Sequence, residues 1–147
     1  LASEFIDKES PLFFANSDQF VDWNSNECMY KMNESEADGG IITFESTHPK
    51  WSFAEVDENN FVVRVAEKDP ISTNATVGFY YWKKGSDFIK YANQMIDKNI
   101  RVNNEFYVCP VFNEAIQDDK KIISFNAKSM WGLGTPEDLD LFLKDRF

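Results

Sequence analysis

The sequence alternates short apolar segments with polar turns and two longer amphipathic segments, and this alternation limits the folds open to the chain. The apolar segments are rich in Val, Ile, Phe and Tyr and are too short for helices, which is typical of β-strands. The amphipathic segments place apolar residues at helical spacing. Strands interleaved with helices predict an α/β domain with a mixed, mostly parallel sheet flanked by helices.

Six segments are predicted to contain strands, and they are residues 11–16, 39–46, 51–56, 61–68, 75–82 and 120–127. The first is predicted to be buried, and the polar turn 57–60 joins the third and fourth into a hairpin. Gly39 and Gly40 are predicted to mark the turn before the second strand. Helices are predicted over residues 25–35, 85–99 and 134–147. Ser86 is the predicted cap of the second helix, and Thr135 is the predicted N-cap of the third.

The 147 residues are enough for one domain with its own core. The chain has no initiator Met, and its first ten residues read as the last turns of a helix, with Leu1, Phe5 and Ile6 on its apolar face. We therefore expect residues 1–147 to form a single domain that is an N-terminally truncated fragment of a larger one. A fragment leaves sheet edges uncovered, which favours self-association into homo-oligomers.

Composition and charge exclude several classes of protein. Apolar residues make up 43% of the chain and aromatic residues 16%, which excludes a disordered protein. The net charge of −10 would repel a nucleic-acid backbone. No apolar run is long enough to cross a membrane, and no signal peptide opens the chain. The two cysteines lack metal-site or disulfide spacing, so we expect reduced thiols in a cytoplasmic protein.

An acid follows the first predicted strand within a few residues. In open α/β sheets, ligands collect outside the carboxyl ends of the strands, which is where Asp18 would lie. A carboxylate there can hold a hard cation such as Mg²⁺. The alternative is that Asp18 caps the following turn through its side chain.

The strand predicted over residues 61–68 ends in a Glu-Lys pair. If the segment is extended, one of its faces carries Phe61, Val63, Val65 and Glu67. A carboxylate at the end of an apolar face needs a partner, and sugar hydroxyls are suitable donors. Lys68 could meet a phosphate as a point charge. The alternative is that both residues mark the exit of the strand into solvent.

Four segments occur in an order that resembles the later part of the sugar-phosphate nucleotidyltransferases, the family that includes glucose-1-phosphate thymidylyltransferase. The segments are "ANSDQ", "EVDENNFVVRVAEKDPISTNATVGFYYW", "RVNNEFYVCPVFNEAI" and "GLGTPEDLDLFL", and together they extend over nearly the whole chain. The resemblance implies a Rossmann-like fold of the nucleotide-diphospho-sugar transferase type. It also implies that a nucleoside triphosphate and a sugar 1-phosphate are joined into a nucleotide sugar, with release of pyrophosphate.

The resemblance implies roles for individual residues. It assigns the metal-binding acid to Asp18, with Mg²⁺ as the cofactor, and it assigns the phosphate-contacting lysine to Lys68. The substrate-binding residues that it implies are Ser52, Glu67, Lys68, Gly78 and Glu105. For Glu105, a structural hydrogen bond to the backbone is the alternative.

The chain departs from the family pattern in two ways. The glycine-rich loop that carries the Arg and Lys for the triphosphate does not occur in these 147 residues. In addition, Gly132 stands where many relatives have a second metal-binding aspartate. The metal is then held by Asp18 and phosphates alone, or Asp22 contributes to it, or the chemistry has changed.

Three functional classes follow from these features. The first is a part of a nucleotidyltransferase, inactive alone, that supplies the metal-binding acid and the sugar-phosphate pocket. The second is a glycosyltransferase of related fold that uses a nucleotide sugar. The third is a non-catalytic sugar-phosphate-binding domain. The Glu-Lys pair and the segment "GTPEDL" favour the first class.

Overall fold

The computed structural model describes residues 3–146, which form a six-stranded main sheet, a two-stranded ribbon and four α-helices. The strands are β1 (Leu12–Ala15), β2 (Gln19–Asp22), β3 (Gly39–Glu45), β4 (Ser52–Val56), β5 (Val62–Glu67), β6 (Asn74–Trp82), β7 (Ile122–Asn126) and β8 (Ser129–Gly132). The helices are α1 (Ser25–Glu34), α2 (Gly85–Asp97), α3 (Val111–Gln117) and α4 (Pro136–Arg146). Within residues 3–146, no helix is both long and apolar enough to span a membrane.

The main sheet is mixed, which confirms the predicted α/β class. Its strands lie in the order β5-β4-β6-β3-β7, and β2 and β8 form the separate ribbon. The expectation of a mostly parallel sheet is wrong, because β3 and β7 are the one parallel pair between the strands of residues 3–146. A parallel pair needs a long crossover connection, whereas hairpin connections produce antiparallel neighbours such as β4 and β5.

Two strands share one side of β6. Because β3 pairs with β6 along nearly its whole length, β4 and β1 both lie on the opposite side. β4 pairs near the start of β6, with Phe53 opposite Ala75, and β1 pairs from Phe79 onward. Residues 76–78 therefore have no strand partner on this side within the described part of the chain.

The helices cover both faces of the sheet. On one face, α2 and α3 pack over a core in which Trp82 and Phe112 stack with ring centroids 4.3 Å apart. On the other face, α1 buries Cys28 and Met32 against β3 and β6. Both cysteines are free, as predicted, and both are buried. The flanking of the sheet by helices is thus confirmed.

The β4–β5 hairpin is confirmed, but β5 does not alternate strictly. Val62 and Val65 are both buried, whereas Val63 is 46% exposed. The register with β4 shifts within the hairpin and leaves Val63 as an extra residue, which is a β-bulge. The prediction that Val63 shares a face with Val65 and Glu67 is therefore wrong, because the bulge turns Val63 toward solvent.

Gly39 and Gly40 lie inside β3 and not in a turn before it. A Cβ atom added at Gly40 would lie 2.5 Å from the Met32 methyl carbon, and one at Gly39 would lie 2.9 Å from the Tyr81 carbonyl oxygen. The contact with the Tyr81 backbone thus requires glycine at position 39, whereas at position 40 the flexible Met32 side chain would have to move aside. Packing of this kind comes from distant residues, so the local sequence suggested a turn instead.

The ends of the helices were predicted with mixed success. Thr135 caps α4, since the Asp138 backbone N–H donates to the Thr135 hydroxyl at 3.1 Å. Ser86 does not cap α2, because the helix begins at Gly85 and already includes Ser86. The residue before the helix is Lys84, whose side chain makes no capping hydrogen bond. α3, β2 and β8 were not predicted.

The first strand and the residues before it differ from expectation. β1 forms as predicted but is half-exposed, because within the described residues it pairs with β6 alone. The described start of the chain is a single 3-10 turn, Ser3–Phe5, in which Phe5 is 83% exposed. Phe5 therefore lies on no packed helix face, and Leu1 falls outside the described residues.

Candidate functional site

The segment after β1 crosses over β6 at Gly78. Gly78 has a φ of +76°, a conformation that a residue with a side chain rarely adopts, and a Cβ atom there would overlap the Asn16 side chain. The Asn16 backbone N–H donates to the Gly78 carbonyl at 3.3 Å, and the Gln19 side-chain amide donates to the Val77 carbonyl. Asn16 and Gln19 thus provide hydrogen-bond donors for the backbone carbonyls of Gly78 and Val77, which have no neighbouring strand on this side within residues 3–146.

A cavity of about 370 Å³ opens beside this crossing, and we call it the Glu67 cavity. It contains three of the predicted substrate-binding residues, namely Ser52, Glu67 and Gly78. Ser52 and Glu67 lie directly opposite each other in the β4–β5 pair, and Gly78 lies on the adjacent strand. Hairpin register and sheet order therefore bring together residues that are up to 26 positions apart (78 − 52).

Hydroxyl and carboxyl groups form the floor of the Glu67 cavity. The Ser52 hydroxyl donates to a Glu67 carboxylate oxygen, and the Thr76 and Tyr80 hydroxyls lie 2.9 Å apart. Burial raises the pKa of Glu67, while the hydrogen bond from Ser52 and the charge of Lys68 act in the opposite direction. Donors and acceptors of this kind are suited to a ligand with several hydroxyl groups.

Sequence reasoning missed three residues of this floor. Thr76 and Tyr80 flank Gly78 at alternate positions of β6, and this spacing was a signal that could have identified them. Cys109 also lines the cavity, and burial raises the pKa of its thiol to about 12. The thiol is therefore neutral at physiological pH and is not activated as a nucleophile.

Lys68 and Glu105 meet at the rim of the Glu67 cavity through Tyr107, which lines it. The Lys68 ammonium group donates to the Tyr107 hydroxyl at 2.9 Å, and this hydroxyl donates to a Glu105 carboxylate oxygen at 2.7 Å. The hydrogen bond to Tyr107 is the main cause of a raised Lys68 pKa. The Glu105 carboxylate therefore accepts from a side chain of the rim. The alternative expectation, a structural hydrogen bond between Glu105 and the backbone, is wrong.

Asp18 lines a neighbouring cavity of about 280 Å³, which we call the Asp18 cavity. Its carboxylate has no hydrogen-bond or ion-pair partner within residues 3–146, so Asp18 does not cap a turn through its side chain. The Asp18 carbonyl accepts from the Leu133 backbone N–H at 2.7 Å. A Cβ atom at Gly134 would lie 2.9 Å from the carboxylate, which thus rests against the backbone between β8 and α4.

Asp22 is not brought to Asp18. The two acids stand at opposite ends of β2, roughly 13 Å apart along an extended strand. The Asp22 carboxylate lies 3.8 Å from the Lys128 ammonium and 4.0 Å from the Arg146 guanidinium. The interpretation of Asp22 as a second ligand beside Asp18 is therefore not supported by its position.

Asp138 is the second acid of the Asp18 cavity. A Cβ atom at Gly132 would lie 3.4 Å from an Asp138 carboxylate oxygen, so Asp138 occupies the space beside the missing side chain. The Lys50 ammonium donates to Asp138 at 3.1 Å, and this hydrogen bond holds the pKa of Asp138 below its ordinary value. From the sequence alone, Glu137, Asp138 and Asp140 are expected to serve as helix capping and a solvated face and not as a metal cluster, because no local signal links Asp138 to Asp18.

The donor chemistry of the Asp18 cavity fits a hard divalent cation. The carboxylates of Asp18 and Asp138 and the Thr135 hydroxyl line the cavity, and oxygen donors are the ligands that Mg²⁺ prefers. No group of three or more His, Cys, Asp or Glu side chains with metal-site geometry occurs within residues 3–146. A bound ion would therefore take its remaining ligands from water or from substrate oxygens.

A larger cavity of about 560 Å³ lies between α1 and β7 and contains Asp22 but none of the other predicted site residues. Its polar side chains already have partners in the protein. Lys31 pairs with Glu27 at 2.6 Å, and the Asn60 amide donates to the Ser124 carbonyl at 2.5 Å. We base the functional interpretation on the two smaller cavities, because four of the predicted site residues line them, namely Asp18, Ser52, Glu67 and Gly78.

The sequence matches no protein-family model and no curated protein. Two solved structures share the fold. One is the nucleoside-diphosphate-sugar pyrophosphorylase from Vibrio cholerae RC9, with a TM-score of 0.77 and 23% identity over 98% of this chain and 60% of that one. The other is a structure assigned as a glucose-1-phosphate thymidylyltransferase from Bacillus anthracis in complex with sucrose, with a TM-score of 0.73 and 14% identity over 99% of this chain and 58% of that one.

This chain thus spans about three fifths of the length of the two proteins. At 23% and 14% identity, the likeness is one of fold. It nevertheless extends over almost every residue of the chain and agrees with the resemblance found in the sequence. The chain has the fold of the sugar nucleotidyltransferases.

Proposed function

We propose that this chain is the sugar-phosphate-binding part of a nucleotidyltransferase. The complete enzyme joins a nucleoside triphosphate to a sugar 1-phosphate and gives a nucleotide sugar and pyrophosphate. The fold agrees with this activity, since both similar structures carry names of enzymes that act on sugar nucleotides or sugar phosphates. The absence of a glycine-rich phosphate loop from these 147 residues leaves the nucleotide to another segment.

The observation that carries the proposal is the adjacency of the two cavities. They share four lining residues, which are Asn16, Gln19, Lys50 and Trp51. The Glu67 cavity offers hydroxyl and carboxyl partners for a sugar, and the Asp18 cavity offers oxygen donors for a cation that accompanies phosphate. A sugar 1-phosphate has these two parts next to each other.

The reaction needs alignment and charge neutralisation more than it needs proton transfer. A phosphate oxygen of the sugar phosphate attacks the α-phosphorus of the nucleotide in line with the departing pyrophosphate. Ser52 and Glu67 orient the sugar through its hydroxyl groups, and Lys68 contributes positive charge at the rim. Asp18 and Asp138 would hold Mg²⁺, which when bound supplies positive charge to the phosphate oxygens.

Calorimetric titration with glucose 1-phosphate and other sugar 1-phosphates in the presence of Mg²⁺ tests this function. We expect binding by the unmodified chain and an affinity lower by roughly tenfold or more in Glu67→Ala, because hydroxyl donors lose a charged acceptor. Glu55→Ala is the matched control, since Glu55 lies on the neighbouring strand, pairs with Arg64 at 3.1 Å and lines neither cavity. Equal binding by Glu67→Ala and the unmodified chain would contradict the assignment of Glu67.

A further inference from the structure

Lys50 lies where the two cavities meet. It belongs to the loop between β3 and β4 and is the one Lys or Arg that lines these cavities within residues 3–146. Three carboxylates line the same space, those of Glu67, Asp18 and Asp138. A phosphate placed across the junction would therefore face several negative charges and a single ammonium group.

The backbone around Lys50 is fixed by local hydrogen bonds. The Lys50 backbone N–H donates to the His48 imidazole at 3.2 Å, and the Trp51 backbone N–H donates to the His48 carbonyl at 3.3 Å. The ammonium group itself is held less firmly, by Asp138 at 3.1 Å and by the Trp51 ring, whose centroid lies 4.5 Å away. With 43% of the Lys50 side chain exposed, this ion pair is of the weak, exchangeable kind.

Lys68 differs from Lys50 in these respects. It lines neither cavity, and its ammonium group donates to Tyr107, which in turn donates to Glu105. An incoming phosphate at the junction would meet Lys50 first.

We propose that Lys50 binds the phosphate group of the ligand, and that Asp138 holds its ammonium group when no phosphate is bound. The inference rests on the function proposed above and adds a phosphate-binding residue to that site. On binding, the ammonium group leaves the Asp138 carboxylate and donates to an oxygen of the phosphate group. The phosphate group is the stronger acceptor, because its charge of up to about −2 exceeds that of the carboxylate. Asp138 therefore competes with the phosphate for Lys50.

NMR titration of the whole chain with glucose 1-phosphate, inorganic phosphate and glucose separates the contribution of the phosphate from that of the sugar. We expect Lys50→Met to lower the affinity for the two phosphate-containing probes by roughly tenfold or more, with less than a twofold change for glucose. Lys50→Arg should retain most of the affinity, because the positive charge remains. In a titration without Mg²⁺, Asp138→Asn should raise the affinity for inorganic phosphate, since it removes the carboxylate that competes for Lys50.

Lys84→Met is the matched control and should leave the affinity for inorganic phosphate unchanged, because Lys84 pairs with Glu9 at 3.1 Å and lines neither cavity. Lys68→Met should lower this affinity less than Lys50→Met does. If the unmodified chain binds the phosphate probes and Lys50→Met binds them equally well, the inference about Lys50 is overturned while the proposed function stands. A larger loss in Lys68→Met than in Lys50→Met also overturns it. If the unmodified chain binds neither glucose 1-phosphate nor inorganic phosphate, the proposed function and the inference both fail.

Discussion

The partly buried environment of Glu67 affects the stability of the fold through the ionisation of its carboxyl group. Its carboxyl group is partly buried, and this burial raises its pKa above the ordinary value of 4.5. Folding thus shifts the carboxyl group toward its neutral form relative to the unfolded chain. Stability from this effect is fully present below the unfolded pKa and is lost as the pH rises through the folded pKa. In the role proposed for it, Glu67 would accept ligand hydroxyls as a carboxylate, and the ionised form costs the fold stability because the group is partly buried.

Glu67→Gln should remove this cost, because the amide is neutral at every pH and can still accept from Ser52. We expect a higher Tm than that of the unmodified chain at pH 7, and a difference that shrinks toward zero below pH 4.5, where both side chains are neutral. Thermal unfolding followed by circular dichroism across this pH range measures the effect. A difference in Tm that does not change with pH would show that the ionisation of Glu67 is not its cause.

Residue positions were predictable where one strand carries the signal. The place of Asp18 after β1 and that of Glu67 at the end of β5 made both residues candidates, and both line cavities in the structure. Asp138 could not be found in this way, because its contact with Lys50 joins residues 88 positions apart and depends on how α4 meets the β3–β4 loop. Tyr107 connects Lys68 to Glu105 through a similar tertiary contact.

At the scale of elements, the short ribbon β2–β8 and helix α3 were missed, while the hairpin and the helices α1, α2 and α4 were found. Four-residue strands are too short for a clear alternation, and the pairing of Gln19 with Gly132 joins distant parts of the chain. The ribbon nevertheless determines the site. It fixes Asp18 against Gly134 at one end and leaves Asp22 beside Lys128 at the other.

Substitutions of Asp18, just before β2, and of Asp22, at its last residue, should therefore have different effects on the affinity for a divalent cation. We expect Asp18→Asn to weaken Mn²⁺ binding by roughly tenfold or more, because a charged ligand is lost. Asp22→Asn should leave it unchanged. Electron paramagnetic resonance of free Mn²⁺ during a titration measures both affinities. Equal losses in the two variants would mean that the ribbon does not separate the acids as described.

At the scale of the whole molecule, the sequence pattern predicted the α/β class and the flanking helices but not the direction of most strands. Strand direction depends on the path of each connection through space, and local periodicity does not contain this path. The placement of β1 and β4 on the same side of β6 could not be predicted from the sequence for the same reason. The order of the motifs along the chain identified the fold despite these errors.

The chain by itself should bind sugar phosphate without catalysing nucleotidyl transfer. Its 147 residues contain no glycine-rich loop with Arg and Lys for a triphosphate, so the nucleotide lacks a site in the proposed mechanism. A coupled assay for pyrophosphate release, with each of the common nucleoside triphosphates, glucose 1-phosphate and Mg²⁺, should therefore show no turnover above the protein-free rate. Sustained turnover by the chain alone would show that it contains a nucleotide site of another kind.

Within residues 3–146, β6 has no strand partner at residues 76–78 on the side of β1 and β4, and this interruption affects how ligand preference can change. At this interruption, Asn16 and Gln19 meet the β6 carbonyls in place of a continuous strand, and the Glu67 cavity opens beside them. Substitutions in this segment change the surface that meets a ligand and leave the stacked core around Trp82 untouched. A change of ligand preference through Asn16 and Gln19 can therefore leave the core packing intact, because neither residue belongs to the core around Trp82.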